Sequence, residues 1–267
     1  MAQGALVTER DGHVLVVTIN RPEKRNAVNA EVLCGLADAW KELREDDELR
    51  VAILTGAGGN FCAGMDLSVI PKLAARRADD AFEQRLLDDT GVIFDGWLKT
   101  NRPDKPIVAA VEGYALAGGT EILQGTDVRV AAENALFGVT EVQRSLFPMA
   151  GSSVRLPRQI PYTVAVEMLI TGEPIDARRA FDLGLVGHLV PVGQALETAR
   201  RIAERIARNG PLAVRAILRT VRETAALPEE RAFEIEMRHG MAVMASEDAR
   251  EGPRAFLEKR DPVFRGR

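Results

Sequence analysis

The sequence predicts an α/β fold with largely parallel strands, and three observations predict it. Short apolar runs at Val51-Ala52-Ile53-Leu54-Thr55 and Ile107-Val108-Ala109-Ala110-Val111 read as buried strands. Each run passes through small residues into helical sequence, so strands and helices alternate. Beyond Pro191 only helical periodicity remains. At 267 residues the chain has length for a full hydrophobic core, as one large domain or one domain with an appendage.

The first element is a hairpin, with Ala5–Arg10 and His13–Ile19 flanking Asp11-Gly12, a type I′ turn signal. Asn20-Arg21-Pro22 ends its second strand, and Glu23-Lys24-Arg25-Asn26 makes a polar, basic turn. Asn29 reads as an N-cap for a helix whose Val32, Leu33, Leu36, Trp40 and Leu43 share one face. The acidic run Glu45–Glu48 closes that helix.

After the strand Val51–Thr55 comes the loop Gly56–Asn60 and a turn, Asn60-Phe61-Cys62-Ala63-Gly64-Met65-Asp66. One long helical region should follow, with Phe82, Leu86, Ile93, Trp97 and Leu98 on its apolar side. The strand Ile107–Val111 then enters a second turn, Gly113 through Glu121, and Glu121 starts a short helix. A further short strand is expected at Val128–Ala132, and the short apolar stretch Leu136–Val139 leads into Thr140-Glu141. Val164, Met168 and Leu169 suggest a helix stopped by Gly172, and Asp176 caps another ending at Gly184, with His188 in a loop. Four helices finish the chain: 195–208, 211–226, 229–246 and 253–257. Phe233, Met237, Met241 and Met244 form an apolar stripe, read first as core packing and alternatively as a surface for another subunit.

Composition narrows the function. Apolar residues make up 46% and charged residues 28%, an ordinary globular balance. A net charge of −4, with no Lys-rich helix, argues against nucleic acid and anionic membrane as partners. No stretch approaches the roughly 18 apolar residues that suggest a membrane span. Neither a signal peptide nor an Arg-rich transit segment is visible, and no leader is expected. Cys34 and Cys62 lack metal-like spacing and point to a reducing, cytoplasmic setting.

Several chemistries lack their residues. His13, His188 and His239 show no metal or triad spacing, and no Gly-x-Ser-x-Gly elbow or phosphate-binding glycine loop occurs. Cys62 reads as a small buried side chain rather than a nucleophile. Backbone amides and carboxylates remain. Glycine-rich turns from strand to helix leave N–H groups free, and two such turns facing each other would hold a developing oxyanion. Singly, Glu121 also reads as a carboxylate favoured by a helix dipole, and Glu141 as a surface loop residue. Beside the amide pair, the two suggest acid/base groups over one oxyanion site.

A set of motifs in fixed order resembles the crotonase (enoyl-CoA hydratase/isomerase) superfamily. They are Arg21-Pro22 with Asn26-Ala27, Phe61 through Leu67, Gly113 through Glu121, Arg155-Leu156-Pro157-Arg158, Ala180 with Gly184-Leu185-Val186, and Phe256 through Arg260. The resemblance implies a spiral of ββα repeats with a C-terminal helical trimerisation region. It divides the chain into a core at residues 1–194, carrying the site, and a helical oligomerisation region at 195–267.

It also implies an enoyl-CoA hydratase, with Met65 and Gly118 supplying the oxyanion-hole N–H groups. Glu121 and Glu141 are the implied catalytic pair, Glu141 as acid and Glu121 orienting and deprotonating water. Lys24, Arg25, Ala27, Ala63, Met65, Asp66, Leu67, Ser68 and Gly118 are implied for the CoA thioester. Phe256 and Lys259 either close over the nucleotide, from the same or a neighbouring chain, or serve as ordinary tail packing and a solvated lysine. No metal and no cofactor are implied, CoA arriving as part of the substrate; the partner is a second and third copy, as a trimer or a dimer of trimers. The alternatives are an enoyl-CoA isomerase working with one glutamate, a dehydratase acting on a polar acyl group, and a non-catalytic or RNA-binding member. Ser68, Arg144-Ser145 and Ser152-Ser153 depart from the family pattern, and Arg144 either approaches a polar acyl group or points to solvent.

Overall fold

The structure, a computed structural model, describes residues 4–267; residues 1–3 of the expected core lie outside the described residues. β1 (Leu6–Asp11) and β2 (Val14–Ile19) form the hairpin, paired from Leu6 opposite Ile19 to Asp11 opposite Val14. This register makes Gly12-His13 the loop, one residue later than the turn signal suggests. Positive φ falls on Gly12 and not on His13, the pattern of a type II′ rather than a type I′ turn.

The Asn29 side chain accepts from the Val32 N–H at 3.1 Å and caps α1 (Ala30–Glu45), whose five expected apolar residues are all buried. β3 (Val51–Gly56) lies parallel to β2. The long helix expected next is three short ones: α2 (Val69–Ala74), α3 (Ala81–Asp88) and α4 (Gly91–Gly96). Asp80 breaks the run by capping α3, accepting from the Glu83 N–H at 2.8 Å. Leu86, Trp97 and Leu98 are buried as expected, but Phe82 sits in the first turn of α3 and stays exposed.

β4 (Ile107–Val111), β5 (Tyr114–Leu116) and α5 (Gly118–Leu123) follow, so the helix carrying Glu121 begins three residues earlier than expected. Next come β6 (Val128–Ala132), β7 (Leu136–Gly138), a 3-10 turn at Thr140–Arg144, α6 (Ser152–Gln159) and α7 (Tyr162–Thr171). Asp176 closes β8 (Ile175–Asp176) and caps α8 (Ala177–Asp182), accepting from the Arg179 N–H at 2.7 Å. His188 lies not in a loop but in β9 (His188–Val190), opposite Val130 of β6.

The large sheet runs β1-β2-β3-β4-β6-β9, parallel from β2 onward, and β5-β7-β8 form a small second sheet. In β4-β5-α5 and β6-β7-α6 the first strand joins the large sheet and the second the small one. Residues 61–62 repeat the second-strand role after β3, through a parallel bridge from Cys62 to Ala115. That is the expected spiral of ββα units.

Period-two alternation buries both faces of the large sheet. Leu15, Val17, Leu54, Ala109 and Val111 face α1 and the helices of the site. Val16, Ile53, Val108, Ala110 and Val130 face α9 (Ala195–Ala207), which meets them with Ala195, Ala199, Ala203 and Ala207. Alanine at every fourth residue lets this helix lie close on the sheet. α9 is therefore packed into the sheet layers, although it stands at the head of the helical tail.

α10 (Pro211–Thr224) and α11 (Glu229–Met244) pack on each other as a hairpin without a single buried residue. The core-packing reading of the methionine stripe is overturned. Phe233, Met237, Met241 and Met244 are exposed because nothing in the same chain covers α11 on that side. Ser246 caps α12 (Glu247–Leu257), which starts well before Pro253 and so is longer than expected. Among the described residues no helix is long and apolar enough to cross a membrane.

Candidate active site

Main-chain pairing holds the two turns side by side. The Phe61 N–H donates to the Glu112 carbonyl at 2.7 Å and the Cys62 N–H to the Tyr114 carbonyl at 2.8 Å. The Leu116 N–H returns a bond to the Cys62 carbonyl at 2.9 Å. Gly64 has φ +94° and packs so closely that a Cβ there would sit 2.7 Å from Ala117 Cβ and 3.2 Å from Gly118 N. Ala117, with φ 50° and ψ −124°, holds a conformation that costs an alanine about 1–3 kcal/mol. Its N–H donates to the Gly138 carbonyl at 2.7 Å, and its carbonyl accepts from Thr120 and Glu121, which fixes the strained geometry.

Backbone donors are left over here. Among the described residues the Met65 and Gly118 N–H groups meet no acceptor, Gly118 being the first residue of α5. The Trp97 ring packs beneath Gly118, 2.7 Å from where a Cβ would stand.

Glu121, on the same helix, is 3% exposed. Its Oε1 accepts from the Ser152 N–H at 3.0 Å and its Oε2 from the Ala150 N–H at 3.2 Å. Gly151, at φ +126°, bends the backbone between these two amides at the start of α6. Burial raises the Glu121 pKa, and the two amides pull against it. Glu141 occupies the first turn of the 3-10 segment, and its buried Oε2 has no partner among the described residues. Burial, and then the charge of Glu121, push it up to about 8. Burial raises both carboxyls, the charge of each opposes that of the other, and the two backbone amides favour charge on Glu121 rather than on Glu141.

The basic turn after β2 closes on the first turn. The Ala63 N–H donates to the Arg25 carbonyl at 3.0 Å, and the Val28 N–H to the Gly64 carbonyl at 2.8 Å. Lys24 and Arg25 are exposed there, Arg25 with its guanidinium 5.1 Å over the Tyr114 ring, and Ala27 is half-buried. Asp66 pairs with Arg21 at 3.0 Å and accepts from the Ser68 hydroxyl at 2.8 Å. Burial opposes its charge, but the Ser68 and Arg21 bonds outweigh that and hold it below the usual carboxylate range. Leu67 and Ser68 are exposed beyond it. Phe256 and Lys259 stand exposed at the end of α12, and among the described residues no hydrogen bond or ion pair ties either to the turns.

Sequence reasoning missed the Ala150 and Ser152 amides and the bracing role of Asn26. Buried Asn26 donates to the Ala57 carbonyl at 2.8 Å and the Asn60 carbonyl at 2.6 Å, and accepts from the Arg21 N–H at 2.9 Å. Its place as the last residue of the basic turn was the available signal; backbone amides carry none.

Cys62 is fully buried and its thiol is pushed up to about 12 by burial. Both cysteines are buried, so native protein is expected to react with a thiol reagent at neutral pH only after unfolding. Rapid native labelling of Cys62, read by mass spectrometry, would reverse that assignment.

A sequence model described as enoyl-CoA hydratase/isomerase matches residues 9–267. The chain is 52% identical over 261 residues to enoyl-CoA hydratase EchA19 of Mycobacterium tuberculosis, covering 98% of this chain and 96% of that one. It is 38% identical over 263 residues to the carnitinyl-CoA dehydratase of Salmonella typhimurium, covering 97% of each. The solved structure of an enoyl-CoA hydratase from Mycobacterium tuberculosis H37Rv superposes with a TM-score of 0.88 at 44% identity, over 99% of this chain and all of that one. Matched from residue 9 to its last residue, and sharing this fold with relatives it covers end to end, the chain belongs to the enoyl-CoA hydratase/isomerase family.

Proposed function

We propose that the protein is an enoyl-CoA hydratase that adds water reversibly across the double bond of a 2-enoyl-CoA thioester. One observation carries this reading: two buried, interacting carboxyls, Glu121 held by two backbone amides and Glu141 with its pKa raised, beside the Met65 and Gly118 N–H groups that meet no acceptor. The thioester oxygen accepts from the Met65 and Gly118 N–H groups, which draws electron density from the β-carbon. Glu121 takes a proton from water as its oxygen bonds to the β-carbon. The resulting enolate holds its charge at the amide pair, and Glu141 delivers its proton to the α-carbon. Proton passage from Glu121 to Glu141 then restores the starting state. Protein groups and water account for every bond, so the reading needs no resident cofactor.

For the CoA portion we retain Lys24, Arg25, Ala27, Ala63, Asp66, Leu67 and Ser68, which belong to the basic turn and to the first turn hydrogen-bonded to it. Phe256 and Lys259 enter this scheme as residues of a neighbouring copy. A polar acyl group would call on Arg144, whose exposed guanidinium meets no partner among the described residues. Two buried, free cysteines fit a cytoplasmic setting. Purified protein is expected to bleach the ultraviolet absorbance of the conjugated thioester in crotonyl-CoA. No loss of absorbance with this or a longer 2-enoyl-CoA sinks the reading.

Oligomerisation is part of the proposal, as a trimer or a dimer of trimers. It assigns residues 195–267 to assembly and residues 1–194 to the site, with α9 shared in packing. Ile217, Val221, Phe233, Met237 and Met241 leave the α10–α11 hairpin with an apolar face that water does not favour. Light scattering should give a mass of three or six chains. Met237→Asp with Met241→Asp should reduce it toward one; a monomeric parent protein counts against assembly.

A further inference from the structure

A row of basic residues stands at the amino ends of three adjacent strands. His13 directly precedes β2, Arg50 directly precedes β3, and Lys105 comes just before β4. Main-chain bonds set them side by side: the Arg50 N–H donates to the His13 carbonyl at 2.9 Å, and the Ala52 N–H to the Pro106 carbonyl at 2.9 Å. Both turns of the candidate active site leave the opposite, carboxyl ends of β3 and β4, about 15–20 Å away along the strands. The basic row lines a cavity of about 480 Å³. Arg215 of α10 lines it too, as do Phe264 and Arg265 of the C-terminal tail.

Four of the lining side chains are Arg or Lys, and three of these meet no carboxylate among the described residues. Arg50 donates to the Ala207 and Phe264 carbonyls at 2.9 and 2.8 Å, Lys105 to the Asp46 carbonyl at 2.7 Å, and the exposed Arg265 side chain meets no acceptor. Arg215 alone is paired, with Asp104 at 3.0 Å and Asp47 at 4.0 Å. Lys105 is 2% exposed, and one carbonyl serves an ammonium that has three donors. Burial, and then the charge of Arg215, push its pKa down. The two acids that also line the cavity, Asp47 and Glu48, are exposed, where water screens them. A buried cation without a counter-charge is costly, and an anion seated here would offset that cost.

We propose that this cavity binds a phosphate group, free or borne by a small metabolite, through Arg50, Lys105, Arg215 and Arg265. Phosphate suits these donors, since it carries up to two negative charges near neutral pH and offers several oxygens to guanidinium and ammonium groups. The cavity has the size of a small-molecule site, which leaves room for an organic body beside Phe264. Its cations come from the sheet, from α10 and from the tail, so an occupant ties the helical region to the core. The site stands apart from the hydratase reading and does not depend on it.

Calorimetry on the full chain, in chloride buffer of fixed ionic strength, measures the binding of inorganic phosphate and of ribose 5-phosphate. Tighter binding of the sugar phosphate assigns the cavity to an organic phosphate, and equal or weaker binding assigns it to the free ion. At ten times Kd the melting temperature should rise by about 3–5 °C. Lys105→Met and Arg265→Ser should each weaken Kd about ten-fold or more. Arg265 is exposed, so Arg265→Ser keeps the fold and decides the matter should Lys105→Met not fold. No binding of either compound at millimolar concentration, or an affinity that neither variant changes, overturns the site.

Discussion

Glu141→Gln is expected to lower kcat/KM for crotonyl-CoA by 10²- to 10⁴-fold, the usual range for losing a positioned general acid or base. Glu121→Gln should do the same. The pair acts through one shared proton, and an amide at either place removes the transfer. The parent protein should show kcat falling as pH rises through about 8, where Glu141 gives up the proton it must deliver.

Stability should follow the same group with a definite sign. Glu141 has a folded pKa near 8, above its unfolded value of about 4.3. Between those values the folded state keeps a proton that the unfolded chain has released. Its contribution is therefore fully present below the unfolded pKa and lost as pH rises through about 8. Glu141→Gln removes this dependence, so its melting temperature should exceed the parent's at pH 9 and draw level toward pH 5. An active, unstable Glu141→Gln enzyme would contradict both the acid role and the buried carboxyl pair.

Gly64→Ala should cost about 10²- to 10³-fold in kcat, the scale of losing one oxyanion donor. The new methyl would stand 2.7 Å from Ala117 Cβ and 3.2 Å from Gly118 N, so the turns must separate. Backbone strain at φ +94° adds about 1 kcal/mol of lost stability. Gly59→Ala separates the two effects. Gly59 has φ +78° but open space around its Cβ position, so alanine there carries the strain without the clash. Gly59→Ala should lose stability and keep kcat. Equal kcat in both variants and the parent would mean that the amide pair does not carry the reaction.

The turns, β3, β4 and α1 are legible in the sequence because each has a local cause: an unbroken apolar run, an Asn cap, or a glycine between strand and helix. What escapes is whatever depends on distant partners. β5 is three residues inside a glycine-rich stretch, too short for a period, and exists because β7 and Cys62 pair with it. The helical texture of residues 66–98 survives in composition, while Asp80, capping α3, and Asp89, accepting from the Gly91 N–H, cut it into three pieces. The methionine stripe looks the same whether covered by its own chain or bare, and only packing distinguishes these. Glu121 and Glu141 are visible as residue types, but the asymmetry between them comes from the amides of Ala150 and Ser152, which no side chain announces.

The three main-chain bonds between residues 61–62 and 112–116 have a wider consequence. Because they join backbone to backbone, exchanging a side chain that points away from the opposite turn leaves the gap between the Met65 and Gly118 donors nearly untouched, whereas a methyl added at Gly64 between the turns does not. Sequence drift in those outward side chains is thus decoupled from the geometry that holds the developing oxyanion.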